Sequence, residues 1–221
     1  MLKPDLPQPS VRQRLRHATL SAVGDAIKWS WGKFSAYGAI WPTSRIARRF
    51  ARFGDGSIVC FPWDSLVNPQ GIQIGEGTLI APHVVLSAGW APDQEGLADD
   101  VVVIGDRCLI GRGSSIVGHK SIRIGNDVWT GHHVHITDMN HGYESGDLPI
   151  GQQFQDERPI SIGDGSWIGH GCVILPGATI GRNAVVGAGS VVTGDIPDRT
   201  VAVGSPARVV RTLDEAPPLA G

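Results

Sequence analysis

The chain has 221 residues, a formal net charge of −2 and three cysteines. That length supports one large core, and the balanced charge offers no footprint for nucleic acid. Cys60, Cys108 and Cys172 are odd in number and far apart, which suits neither a disulfide framework nor a cysteine metal site. Reduced, buried thiols are expected. No apolar run reaches the roughly 18 residues of a membrane span, and the opening MLKPDLPQPS is too polar and proline-rich for a secretory signal. The expected location is the cytoplasm.

Residues 1–53 are basic and aromatic. They hold ten Lys and Arg (Lys3, Arg12, Arg14, Arg16, Lys28, Lys33, Arg45, Arg48, Arg49, Arg52) against Asp5 and Asp25, a balance of +8. Trp29, Trp31, Phe34, Tyr37 and Trp41 sit among these charges. The pattern predicts a helix over 11–37, a break at Pro42 and a second short helix over 44–53. Such a segment either caps the next domain's exposed edge or packs on a neighbouring subunit, or it rests on an anionic membrane.

From Ile74 the chain becomes periodic. Residues 162–197 divide into IGDGSW, IGHGCV, ILPGAT, IGRNAV, VGAGSV and VTGDIP. Each hexad opens with Ile or Val and carries a small or aliphatic fifth residue. Nine more hexads, in sets of three, cover 74–91, 104–121 and 124–141. A six-residue period fits a short strand followed by a tight turn, in which Gly, Asn or Asp tolerates unusual φ. Three such units close a triangle of 18 residues, and coils stack at about 4.8 Å by pairing backbone groups. The prediction is a parallel β-helix over 54–200, with the first-position column inside. Residues 92–103 and 142–161 break the period, and long insertions in a solenoid are loops that carry function. Residues 201–221 form a tail.

The run W-I-G-H-G-C-V-I-L-P-G, then G-A-G-S-V-V-T, then G-S-P-A-R-V-V-R carries a resemblance. Over about 58–211 the chain resembles the hexapeptide-repeat acyltransferases, most closely the sugar and xenobiotic O-acetyltransferase branch. The resemblance implies a left-handed β-helix, a homotrimer with sites at subunit clefts, acetyl-CoA as donor, and a saccharide or glycolipid acceptor.

His141 ends the third set of hexads, in TDMNHG, where the chain leaves for its longest loop. Moving an acyl group from a thioester to a hydroxyl needs a base for the hydroxyl proton, and imidazole suits that task. The resemblance assigns this role to His141. Asn140 or Asp138 could orient it, as could Glu144 or Asp147 in the loop, and spacing alone does not choose among them. By resemblance, Trp167, His170, Ala188 and Thr193 lie along the CoA site, and Arg208 and Arg211 meet its phosphates. Gly194 stands where relatives often carry a lysine, which leaves one phosphate contact in doubt.

His132, His133 and His135 suggest a metal site only at first sight. Neighbours on one turn do not easily face one ion, and no cysteine or carboxylate cluster completes a ligand set. No metal is expected. The alternatives are another acyl group, an amine acceptor, or a non-catalytic or γ-carbonic-anhydrase-like β-helix, although His119, His135 and His170 do not fall in the spacing that such a zinc site needs. Trp90, Tyr143 and Phe154, with several acids in the loops, suit a carbohydrate face.

Overall fold

A computed structural model describes residues 11–213. Residues 1–10 of the basic segment and 214–221 of the tail lie outside the described residues, as do the side chains of Val11 and of 13–16. The chain divides into two units after Gly38.

The first unit is the helix α1, Val11–Gly38, close to the expected span. Its sequence is free of proline between Pro9 and Pro42, and a proline would break the i→i−4 ladder. Leu20, Val23, Ile27, Trp29 and Tyr37 are exposed along it, and Lys33 lies over the Trp29 ring at 5.8 Å. Among the described residues no helix is long and apolar enough to cross a membrane.

The second unit is the β-helix. Its first face stacks Arg52–Phe53, Ile72–Ile74, Val102–Ile104, Ile122–Ile124, Ile160–Ile162 and Thr179–Ile180, all parallel. The second stacks Ile58–Val59, Leu79–Ile80, Leu109–Ile110, Trp129–Thr130, Trp167–Ile168, Val185–Val186 and Thr200–Val203, closed by antiparallel Arg208–Thr212. The third holds Ser65–Val67, Val85–Ala88, Ser115–Gly118, His135–Thr137, Val173–Ile174 and Val191–Val192. The chain visits the three faces in turn, so each coil pairs only with its neighbours.

The hexad positions take separate physical roles. First-position residues such as Ile80, Ile110, Ile168 and Ile174 are fully buried, and each buried Ile contributes about 2 kcal/mol. The fifth-position hydroxyls and thiols reach across to the next coil. Thr78 Oγ1 donates to the Gly105 carbonyl at 2.7 Å, Ser166 Oγ to Gly181 at 2.7 Å, and Cys172 Sγ to Gly187 at 3.1 Å. Second-position glycines are needed for closeness rather than for φ. A Cβ on Gly105 would lie 2.5 Å from the Gly125 carbonyl oxygen. Positive φ falls instead at the fourth position, on Gly77, Arg107, Asp127, Gly165 and Asn183.

Three expectations change. The segment 44–53 is not a helix: a single 3-10 turn, Ala47–Arg49, precedes a strand that already belongs to the first coil. Ala47 and Phe50 turn into the core, and the Ala51 N–H bonds the Ile72 carbonyl at 3.1 Å. Pairing with the second coil outweighs local helix propensity there. With Ile40, which exchanges both backbone hydrogen bonds with Val59, these residues cover the solenoid's first coil. The unit boundary therefore lies after Gly38 rather than at 53. The loops also end slightly earlier than expected, because Val102 and Ile160 are already in strands.

The register measures each insertion. Ile74, Ile104, Ile124, Ile162 and Ile180 form one column of partners, at spacings of 30, 20, 38 and 18 residues. Only the last is a plain coil. All the extra chain leaves from the corner between the third and first faces.

Candidate functional site

At that corner the repeat fails in a particular way. Most hexads bury a small fifth residue, but the third hexads of the first three sets carry Trp90, Lys120 and Asn140 there, and all three are exposed. The side chains turn outward and the backbone departs with them. His141, at the end of the third of these hexads, is exposed at the mouth of the longest loop.

The loop is pinned rather than loose. Gln153 is buried at 8% exposure. Its Nε2 donates to the carbonyls of Ser145 (3.0 Å) and Leu148 (2.8 Å), while its Oε1 accepts from the Ser145 N–H at 3.0 Å. An antiparallel bridge joins His141 to Phe154, and the Gly142 N–H bonds the Gln153 carbonyl at 2.8 Å. The His141 and Phe154 rings are 6.1 Å apart.

Asp138 does not orient His141. It is fully buried, and its carboxylate accepts the N–H groups of His119, Lys120 and Ser121 at 2.7–2.9 Å. That carboxylate fixes the corner of the coil below. Asn140, Glu144 and Asp147 are exposed, and Phe154 supplies the ring beside His141.

His119 was not singled out for this site by its spacing. It is half-buried against Trp90, with ring centroids 4.2 Å apart, and Trp90 meets the Phe154 ring edge-on at 5.3 Å. Burial pushes the His119 pKa down, against opposing pulls from Asp138 and Glu157. Its Nδ1 is buried without a hydrogen-bond partner. Stacking the hexads in phase reveals the relation, since Trp90, His119 and His141 leave the same corner on successive coils.

The residues assigned to CoA by resemblance divide between corners. Thr193 and Arg208 come together in a depression of about 210 Å³ with Gly194, Asp195 and Ala207. This lies on His141's corner, two coils further along. Nothing lies within 4 Å of a Cβ built on Gly194, so sterics do not demand glycine there. Arg158, at the exit of the long loop, accepts the Gly177 N–H of the intervening coil on its carbonyl at 3.0 Å. Trp167 is on the second face, in register with Trp129. His170 and Ala188 occupy the corner after that face, linked by the Gly189 N–H to the His170 carbonyl at 2.8 Å. Arg211 pairs with Val201 in the closing antiparallel strand.

His170 shares its corner with His132 and His133, at ring separations of 5.5–6.5 Å. Among the described residues no three His, Cys, Asp or Glu side chains are grouped to hold a metal ion. The cysteines are free. Cys108 and Cys172 are buried in fifth positions and Cys60 is half-buried, and burial raises the pKa of all three.

Comparison with known proteins fits this architecture. Residues 159–194 match the family model described as bacterial transferase hexapeptide (six repeats), and 101–129 match the hexapeptide repeat of succinyl-transferase. A Schizosaccharomyces pombe protein named as an acetyltransferase is 45% identical over 152 residues, covering 67% of this chain and 72% of its own. Galactoside O-acetyltransferase of Escherichia coli K12 is 33% identical, with 69% of each chain covered. Among solved structures, a maltose O-acetyltransferase from Clostridium difficile 630 is 28% identical. It superposes with a TM-score of 0.52 over 77% of this chain and 73% of its own. An N-acyltransferase from Bacillus cereus in complex with dTDP and 3-hydroxybutyryl-CoA shares the fold, with a TM-score of 0.63 at 20% identity over 76% and 85%. The stack is the left-handed parallel β-helix of these enzymes, and the chain belongs to the hexapeptide-repeat acetyltransferases.

Proposed function

We propose that this acetyltransferase moves the acetyl group of acetyl-CoA to a hydroxyl of a sugar, glycolipid or polysaccharide precursor, with His141 as general base. The observation that carries the reading is one shared corner: His141 stands exposed beside a pinned loop, and the Thr193–Arg208 depression lies two coils away, about 10 Å along the stack. Arg208 supplies a fixed cation for the donor's phosphates, and Thr193 borders the path from them toward His141.

In the reaction His141 takes the proton of the acceptor hydroxyl as its oxygen attacks the thioester carbonyl. When the tetrahedral intermediate collapses, the C–S bond breaks and the imidazolium returns that proton to the leaving thiolate. Long loops beside the corner limit water at the thioester. The relatives named for galactoside and maltose O-acetylation support a saccharide acceptor.

Trp167, His170 and Ala188 lie on other parts of the triangle, which supports a trimer whose clefts unite one protomer's His141 corner with its partner's second-face corner. Basic charge and exposed Leu20, Val23, Ile27, Trp29 and Tyr37 on α1 support contact with an anionic membrane surface.

The test is thiol release from acetyl-CoA with a panel of saccharides. His141→Ala should lower the acceptor-dependent rate by about 10²–10⁴-fold while leaving the circular dichroism spectrum unchanged. A variant with the parent's rate removes His141 from the mechanism. Equal rates with amines would move the acceptor from hydroxyl to amine.

A further inference from the structure

Three aromatic rings beside His141 belong to no step of that reaction. Trp90 is 46% and Phe154 64% exposed, and the two rings meet each other at His141's corner. A single exposed ring is ordinary, but exposed rings that touch one another in a polar surround mark a candidate ligand surface. The backbone that carries Trp90 is held in place: its main-chain N–H donates to Gln94 Oε1 at 2.7 Å, and Asn68 Nδ2 donates to the carbonyls of Ala88 and Ala91 on either side. Phe154 follows Gln153, the buried pin of the long loop.

We infer that Trp90, His119 and Phe154 form a subsite for the ring of a pyranoside acceptor. This deepens the saccharide reading above and rests on it. A pyranose has one face of C–H groups and a rim of hydroxyls. The apolar face covers an aromatic ring, while the hydroxyls need hydrogen-bonding groups at the edge. Trp90 supplies the ring, Phe154 meets it edge-on at 5.3 Å, and His119 packs on it at 4.2 Å. A protonated His119 would place a charge against the neighbouring rings; its burial favours the neutral imidazole. The bridge from Phe154 to His141 ties the subsite to the base. A sugar seated there presents its rim to His141.

The experiment compares the full-length parent with Trp90→Ala and Trp90→Phe. Transfer to methyl pyranosides and to a linear alditol is measured, together with saturation-transfer NMR of the same pyranosides without donor. Trp90→Ala should raise KM for pyranosides about tenfold, the equivalent of one stacking contact, with kcat little changed. It should leave the alditol unaffected and abolish the saturation-transfer signals from the sugar's C–H face. Trp90→Phe should recover most of the loss. Unchanged KM and unchanged NMR signals in Trp90→Ala overturn the subsite and leave the transfer reaction standing. Trp90-dependent sugar signals in a protein that acetylates no saccharide would keep the subsite and overturn the reaction.

Discussion

Thr78 is fully buried yet polar. Its hydroxyl donates to the Gly105 carbonyl and accepts the Cys108 N–H at 3.0 Å, so one side chain latches two coils. The preference for a small fifth residue was legible in the sequence as a volume limit. The preference for Ser, Thr or Cys needs the adjacent carbonyl, which only stacking supplies. Thr78→Val keeps the volume and strands both backbone groups. It should lower stability by about 1–3 kcal/mol, read as a fall in the urea midpoint with an unchanged slope; an unchanged midpoint would mean that the latch is idle. The place of His141 at the mouth of the long loop was legible because the repeat stops there. The role of Asp138 was not, because its three N–H partners lie 17–19 residues earlier in the chain, one coil down.

At the scale of elements, the strands followed the hexads almost without exception, since side-chain phase and backbone pairing agree along the stack. The segment 39–53 was harder to read. Its Ala, Arg and Phe residues suit a helix locally, yet they serve the solenoid as cap and first strand. A deletion meant to test α1 should therefore stop at Gly38, because removing Ile40, Ala47 and Phe50 would uncover the core. For the membrane proposal, the intact chain should sediment with vesicles containing anionic lipid, and not with neutral ones. Binding should weaken as salt rises, since each Lys or Arg near the surface contributes about 1 kcal/mol. Ile27→Ser with Trp29→Ser should release it. Equal recovery with and without anionic lipid would end the membrane reading.

For the whole molecule, the proposed trimer has a direct measure: light scattering should return three times the 23.4 kDa chain mass, and a monomer carrying full activity would remove the need for shared clefts. The two corners that hold the residues assigned to CoA by resemblance could not be told apart by reading hexads as a line. They separate only when successive hexads are assigned to successive faces. The same assignment sets the freedom of the fold. Three insertions of different length leave from one corner, and each returns the chain to the Ile74–Ile180 column in register. The stack counts coils and is indifferent to what happens between them on that side. If the proposed acceptor side is right, its preference can drift by exchange of whole loops, like interchangeable bits in a fixed chuck, while the coils downstream keep their geometry.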